Sequence, residues 1–415
     1  MSADSSPPSP QPPSAAALDP RGSVWRVPGI LALTLLSVTG FGGFAALFSV
    51  VPLWAVHGGV GSAGSGLVTG VLLLSTILTQ TVVPTLLRVF GYSVVLCASA
   101  LALGLPSLAF GLSDGLTPIL LLSAVRGVGF GILTVTGSTV VAELVPIARR
   151  GEAVGIYGLG IAVPNVVLLP ASVAIADRLG FWWVFGLGAV PLLGIPAALR
   201  LGRAVRARSS STPPQVDRTS PAPVERRPWR AVVAQTVPPS LILFAVTLAS
   251  GALMTFLPQV THSSEESVAA LLVLGVFSAL SRWLVGRVGD RHGAHRLLAP
   301  LLAITAAGLV ATGVFLSGAG GAWLLMPAVG AVGLGYGALQ NVTLVTAFSR
   351  VTSAEYGGAS AVWNIGFDSG TGCGAVLVGL VAAAWGFPAG FFILAGLALV
   401  ALPLSRVRPG SDSGL

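Results

Sequence analysis

The chain has 415 residues, of which 54% are hydrophobic and only 9% charged, against about 25% charged in a soluble domain. It lacks the polar surface to face water and reads as an integral membrane protein of many spans. All 22 basic residues are arginine, which excludes a Walker-A phosphate loop and a lysine Schiff-base enzyme, since both need a lysine at the reacting group.

In chain order, residues 1–27 are rich in Ser, Pro and Ala and are expected to form a disordered cytoplasmic tail rather than a cleaved signal. A helix needs about 20 apolar residues to cross the hydrocarbon core. On that rule spans fall near 28–54, 65–86, 92–112, 118–141, 153–175 and 182–200. A second set follows near 232–258, 267–285, 297–316, 321–348, 358–382 and 386–405. The Pro-, Ser- and Arg-rich segment 202–231 reads as a cytoplasmic linker. The expected domains are thus the tail, an N-terminal six-helix bundle (28–201), the linker, a C-terminal six-helix bundle (232–406) and a cytoplasmic tail (407–415).

Arginine placement tests this layout. With the N-terminus inside, Arg88, Arg149, Arg150, Arg287, Arg291, Arg296, Arg350, Arg406, Arg408 and the linker arginines lie inside, with Arg200 and Arg282 at inner helix ends. Arg178 alone falls outside and Arg126 alone lies within a span. The bias matches the positive-inside rule, so the net charge of +8 sets orientation and no nucleic-acid partner is expected. Both termini are expected in the cytoplasm, with the chain in the inner membrane. Cys97 and Cys373 sit in apolar stretches and offer neither a disulfide framework nor a cysteine-rich metal site.

A shift of 206 residues aligns the halves. Ala46, Leu47, Ser49 and Pro52 meet Ala252, Leu253, Thr255 and Pro258; Gly127, Gly129 and Gly131 meet Gly333, Gly335 and Gly337; Gly151, Ala153, Tyr157 and Gly160 meet Gly357, Ala359, Trp363 and Gly366. A tandem repeat with an even helix count is a parallel repeat about an axis along the membrane normal, with a substrate site between the halves near the midplane.

Gly286-Arg287-Val-Gly-Asp290-Arg291-His-Gly293 resembles the loop signature of the major facilitator superfamily, and Arg126-Gly127-Val-Gly129-Phe-Gly131 is similar to its fourth-helix signature. The resemblance runs from about residue 28 to 406. In the matching first-half loop only Gly91 fits, with Pro84, Arg88 and Tyr92 at the other positions. The fifth-helix antiporter signature is partial, with Gly160 and Pro164 present and Val163 in place of a glycine. The resemblance implies an all-α fold of twelve transmembrane helices in two pseudo-symmetric six-helix bundles. It also implies gating by Gly286, Arg287, Asp290, Arg291 and Gly293 in a tight inner loop, and a coupling role for Arg126.

Intramembrane charges are few. Arg126 in the fourth span costs about 2.5–3.5 kcal/mol to insert, so it faces the interior or snorkels outward. Asp368 is the acid well inside a span, and Asn364 lies four residues before it on the same face. Two roles are open to Asp368: binding a cationic group or exchanging a proton, and orienting helix packing through hydrogen bonds. Tyr157, Asn165, Gln340, Asn341 and Trp363 offer polar and aromatic contacts to a cavity or between helices. The glycine run at 333–337 formally resembles a dinucleotide fingerprint but lies mid-span, where small residues serve helix packing. His292, His295 and Asp290 supply too few ligands for a metal, and no cofactor is expected.

The sequence therefore points to a monomeric secondary active transporter, not an enzyme. The leading expectation is proton-coupled efflux of a small amphipathic molecule by an alternating-access antiporter in the lipid bilayer. Uptake of a sugar or metabolite is the alternative within transporters, and a lipid scramblase or non-transporting membrane protein the alternative outside them.

Overall fold

The computed structural model describes residues 27–144, 150–211, 228–292, 294–352 and 355–406. The described residues form thirteen α-helices with short 3₁₀ turns between some of them. In the first half these are α1 (Ile30–Phe48), α2 (Val50–His57), α3 (Ser62–Ala109), α4 (Leu116–Leu144), α5 (Arg150–Leu179), α6 (Phe181–Gly188) and α7 (Ile195–Ser211). The second half contributes α8 (Trp229–Val260), α9 (Ser264–His292), α10 (Leu298–Leu316), α11 (Leu325–Phe348), α12 (Tyr356–Trp385) and α13 (Phe387–Val400).

Among the described residues, eleven continuous helical stretches are long and apolar enough to cross a bilayer. One of them, Ser62–Leu112, has 51 residues, more than twice the length that crosses a hydrocarbon core about 30 Å thick. Gly91 divides it: its φ of 75° and ψ of 165° are open only to glycine, so the chain turns there and α3 supplies the second and third spans. The expected twelve spans result. α1 and α2 make one span interrupted at Ser49, because the ring of Pro52 clashes with the carbonyl four residues earlier. A 3₁₀ stretch, Val190–Gly194, carrying Pro191, joins α6 and α7 into the sixth span in the same manner.

Three helix ends depart from the sequence reading. α9 continues to His292, so the segment from Gly286 through Asp290 and Arg291, expected as a tight loop, is helical; isolated glycines do not end a helix that its neighbours continue. The ends of the 202–231 linker are helical as well, since α7 runs to Ser211 and α8 starts at Trp229.

The repeat recurs in the packing. Gly127 and Gly131 of α4 lie against the carbonyls of Leu72 and Thr76, and Gly333 and Gly337 of α11 lie against those of Leu274 and Ser278. Gly129 approaches Ser99 O of the third span, as Gly335 approaches Leu301 O of the ninth. Leu72 to Leu274, Thr76 to Ser278 and Ser99 to Leu301 are each a step of 202. Spans two and three therefore match eight and nine at 202, whereas four and ten match at 206. The four-residue difference is about one helical turn: the register drops from 206 to 202 between the first and second spans and returns to 206 between the third and fourth.

The core is shared at one end and divided at the other. Toward the arginine-poor end one buried cluster joins both halves, including Phe48, Val51, Phe110 and Phe185 with Leu253, Phe256, Leu274 and Phe391. Toward the arginine-rich end each half keeps its own cluster, one around Ile30, Leu33, Leu144 and Leu201, the other around Leu298, Leu301, Leu339 and Val342. The halves thus join at one surface and part toward the other.

Candidate functional site

Polar side chains line the seam where the halves meet. At the arginine-poor end Ser49 Oγ donates to Met254 O, Ser62 Oγ donates to Gly379 O at 3.1 Å, and Gln259 Nε2 donates to Ser65 Oγ at 2.8 Å. One turn deeper Thr69 Oγ1 and Thr255 Oγ1 share a hydrogen bond of 3.0 Å. At the surface Ser264 Oγ donates to Asp177 Oδ2 at 2.6 Å, and Arg178 pairs with Glu265 at 3.3 Å. That ion pair is well exposed and contributes little. The hydroxyl contacts, set between buried apolar rings, define the seal.

Asp368 closes this ladder from within. It is only 5% exposed, on α12, and its Oδ2 accepts a hydrogen bond of 2.7 Å from Gln80 Nε2 on α3. Gln80 also donates to Thr134 Oγ1 of α4 at 3.3 Å. The carboxylate of one half is therefore held by an amide of the other. Burying a carboxylate is costly unless it is paired, hydrogen-bonded or protonated, and here a single neutral amide donor meets it.

An aromatic wall adjoins the carboxylate. Phe367 stacks near Trp363, centroids 5.8 Å apart, and lies 6.2 Å from the Tyr336 ring. The Tyr336 hydroxyl sits beside Ser250 and Gln340 and within electrostatic reach of both Arg282 and Asp368. Trp363 Nε1 donates to Thr343 Oγ1 at 3.0 Å, which fixes the indole against α11. An apolar wall with one acid, one guanidinium and a buried amide is the composition of a small-molecule cavity.

The structure gathers some of the expected residues and leaves others apart. Asp368, Gln340 and Trp363 come together around Tyr336. Asn341 Nδ2 instead donates to Arg282 O at 3.1 Å, tying α11 to α9. Asn364 Nδ2 turns back to Ser360 O at 2.8 Å, and Asn165 Nδ2 to Ile161 O at 2.8 Å, each bonding its own helix. Tyr157 packs against Gly137 of α4 on the edge of the first half's own core. Gly286, Arg287, Asp290 and Arg291 lie on the last turns of α9, but their side chains lie outside the described residues, as does Gly293 entirely.

Arg126 is 1% exposed. Its Nη2 donates to Gly43 O at 2.9 Å, its Nε to Leu103 O at 3.4 Å, and the guanidinium lies 5.9 Å from the centroid of the Phe110 ring. These partners belong to the first and third spans and the turn after them, and none is shared with Asp368. Truncation to Ala would leave a void and remove one donor from each of two helix carbonyls, of which Leu103 O still accepts from Ser107 Oγ. Arg126→Ala is therefore expected to cost about 2–3 kcal/mol of stability, read as a lowered unfolding midpoint in detergent, while the pH response of the protein that stays folded is unchanged.

Sequence reasoning missed Gln80, Thr134, Tyr336 and Phe367 and read Arg282 as an orientation charge. Gln80 had a signal, an amide inside an apolar span, but its partner stands 288 residues away.

Two helical halves with a buried acid and an aromatic cluster at their seam define a polytopic membrane carrier. The family model of the Major Facilitator Superfamily matches residues 33–351 and 284–414, and the chain belongs to that superfamily, whose members are carriers and not enzymes. It is a secondary transporter of small molecules. A curated relative, the "Uncharacterized MFS-type transporter Rv1250" of Mycobacterium tuberculosis, is 35% identical over 79 residues, 19% of this chain and 14% of the relative, so the match spans a small part of that protein. Among solved structures, the inward-open xylose transporter XylE from E. coli has a TM-score of 0.70 at 15% identity, covering 92% of this chain and 96% of that one. The peptide transporter POT in complex with sulfate reaches 0.69 at 16% identity, covering 95% and 98%. A bacterial homolog of the human lysosomal transporter Spinster, inward-facing and unoccupied, reaches 0.68 at 15%, covering 91% and 95%. At these identities the likeness is one of fold.

Proposed function

We propose that the protein is a proton-coupled antiporter that exports a small amphipathic molecule across the cytoplasmic membrane by alternating access. The observation that carries this reading is the buried Asp368 bonded across the seam to Gln80, at the level where the shared core gives way to separate ones. A carboxylate at that point is available to a proton from the open side, and its bond to the other half breaks when the halves rock. Intramembrane acids are functional-site candidates by default because their burial is otherwise disfavoured. The arginine-rich end is assigned to the cytoplasm by the positive-inside rule, so the side on which the halves keep separate cores faces inward. Tyr336, Trp363 and Phe367 supply an apolar wall, with Asp368, Gln340 and Arg282 as the polar contacts. Arg126 acts as a fastener that lets the first half move as one body.

The direct test is flux in proteoliposomes under an imposed pH gradient, over a panel of lipophilic cations, neutral amphipathic compounds and sugars. The expected result is gradient-driven movement of one or more amphipathic compounds. Flux of none of them above that of empty liposomes overturns the reading, and flux of sugars alone favours uptake.

The seal gives a second prediction. Thr69→Cys/Thr255→Cys in a Cys97→Ala/Cys373→Ala background places two thiols where hydroxyls now touch. Oxidation is expected to lock the arginine-poor end and stop net flux, and reduction to restore it, measured in the same vesicles.

A further inference from the structure

Away from the seam, a surface pocket of about 480 Å³ is lined by Ser93, Leu199, Arg203, Arg206 and Ala207. Its place in the fold is set by the break at Gly91, where the chain leaves the second span and starts the third. Gly202 of α7 packs directly on Ser93, with no room for a Cβ beside the Ser93 hydroxyl, which holds α7 against the start of the third span. One turn further along α7, Arg206 Nη2 comes to 3.7 Å from where a Cβ on Gly91 would stand. Arg203 lies three residues before Arg206 and shares its face.

The pocket also sits at a definite depth. α7 buries Ala197, Ala198, Leu201 and Val205 on one face, while on the outer face exposed Leu199 gives way to exposed Arg203 and Arg206. A change from exposed leucine to exposed arginine along one face is what the headgroup level of a bilayer favours, and Leu199, 38% exposed, forms the apolar side of the pocket. Two guanidiniums facing one pocket match a phosphate, which arginine binds through paired N–H donors. The new start of the third span adds the positive end of a helix. Basic pockets between helices at the bilayer edge suit lipid headgroups, whose acyl chains continue along the apolar side.

We propose that this pocket binds the phosphodiester headgroup of an anionic phospholipid, pinning the third and sixth spans together at the arginine-rich surface. The test is native mass spectrometry of the full-length protein in mild detergent, titrated with phosphatidylglycerol or phosphatidylcholine. One phosphatidylglycerol is expected to bind in preference to phosphatidylcholine. Arg203→Gln/Arg206→Gln is expected to weaken it by about thirtyfold, the scale of two interfacial arginines. Arg203→Lys/Arg206→Lys, which keeps the charge but not the paired donors, is expected to lose less binding than the glutamine pair, and Arg178→Gln at the opposite surface to lose none. Should the double glutamine variant fail to fold, Arg203→Gln alone, at an exposed position, is expected to give about a fivefold loss. Equal binding of both lipids, affinity unchanged in the glutamine variants, or tighter binding of inorganic phosphate than of phosphatidylglycerol at matched ionic strength would each overturn the proposal.

Discussion

Asp368→Asn is expected to lower pH-driven flux on the order of a hundredfold, the scale of losing a positioned proton-transferring group, while the protein folds and still exchanges substrate. The substitution is nearly isosteric, and the Asn Oδ1 can still accept from Gln80 Nε2, so the bond across the seam survives. What disappears is the ability to take up and release a proton. Flux of the variant is accordingly expected to be flat with pH, where the unaltered protein responds to the gradient. Gradient-driven flux unchanged in Asp368→Asn would remove the residue from coupling and leave it as a packing carboxylate. Loss of all exchange, with the fold intact, would instead place it in substrate binding alone.

Gly374→Val is expected to cost about 3 kcal/mol or more of stability, at the upper end of overpacking penalties. Gly374 of α12 lies so close to the Leu248 carbonyl of α8 that no Cβ fits, and Gly251 of α8 meets the Thr371 carbonyl of α12 in the same way. Backbone atoms cannot move aside as a flexible side chain does. In lipid, where no hydrophobic force holds helices together, such close approach is a main source of association. Separating α8 from α12 also displaces Asp368, one and a half turns before Gly374, so activity is expected to fall with stability. The comparison is Gly396→Ala, where nothing lies within 4 Å, and thermal unfolding in detergent is expected to show no loss. Equal midpoints for the Gly374 and Gly396 variants would contradict the packing account.

Much of the architecture was readable because the bilayer imposes a length rule and a charge rule. Apolar stretches separated by arginine-bearing turns left little choice of span number, and the arginines oriented them. The break at Gly91 came through as a gap between two stretches. The repeat was visible in the glycine runs, yet the single shift of 206 hid the second register of 202, because the matched positions in spans two and three are carbonyls and any residue supplies one. The helical continuation of α9 through Asp290 was not readable, since glycines and charges signal a loop as readily as a helix end.

The site was readable only in part. Asp368 stood out by its cost in the membrane, and Gln340 and Trp363 by their polarity or size. Which amides face the cavity depended on rotation and hydrogen bonding: Asn341 goes to the Arg282 carbonyl and Asn364 to its own helix. Gln80 became significant only when the two halves were placed together, a contact no local spacing encodes.

The measurement that bears most directly on coupling through Asp368 is proton movement driven by substrate. Proteoliposomes loaded with a pH-sensitive dye, with no initial pH gradient, receive a transported compound from outside. Antiport requires a proton to leave as each substrate enters, so the lumen is expected to turn alkaline in the unaltered protein and to stay constant in Asp368→Asn while substrate still equilibrates. Substrate entry without any change in luminal pH, or with acidification, would contradict the account.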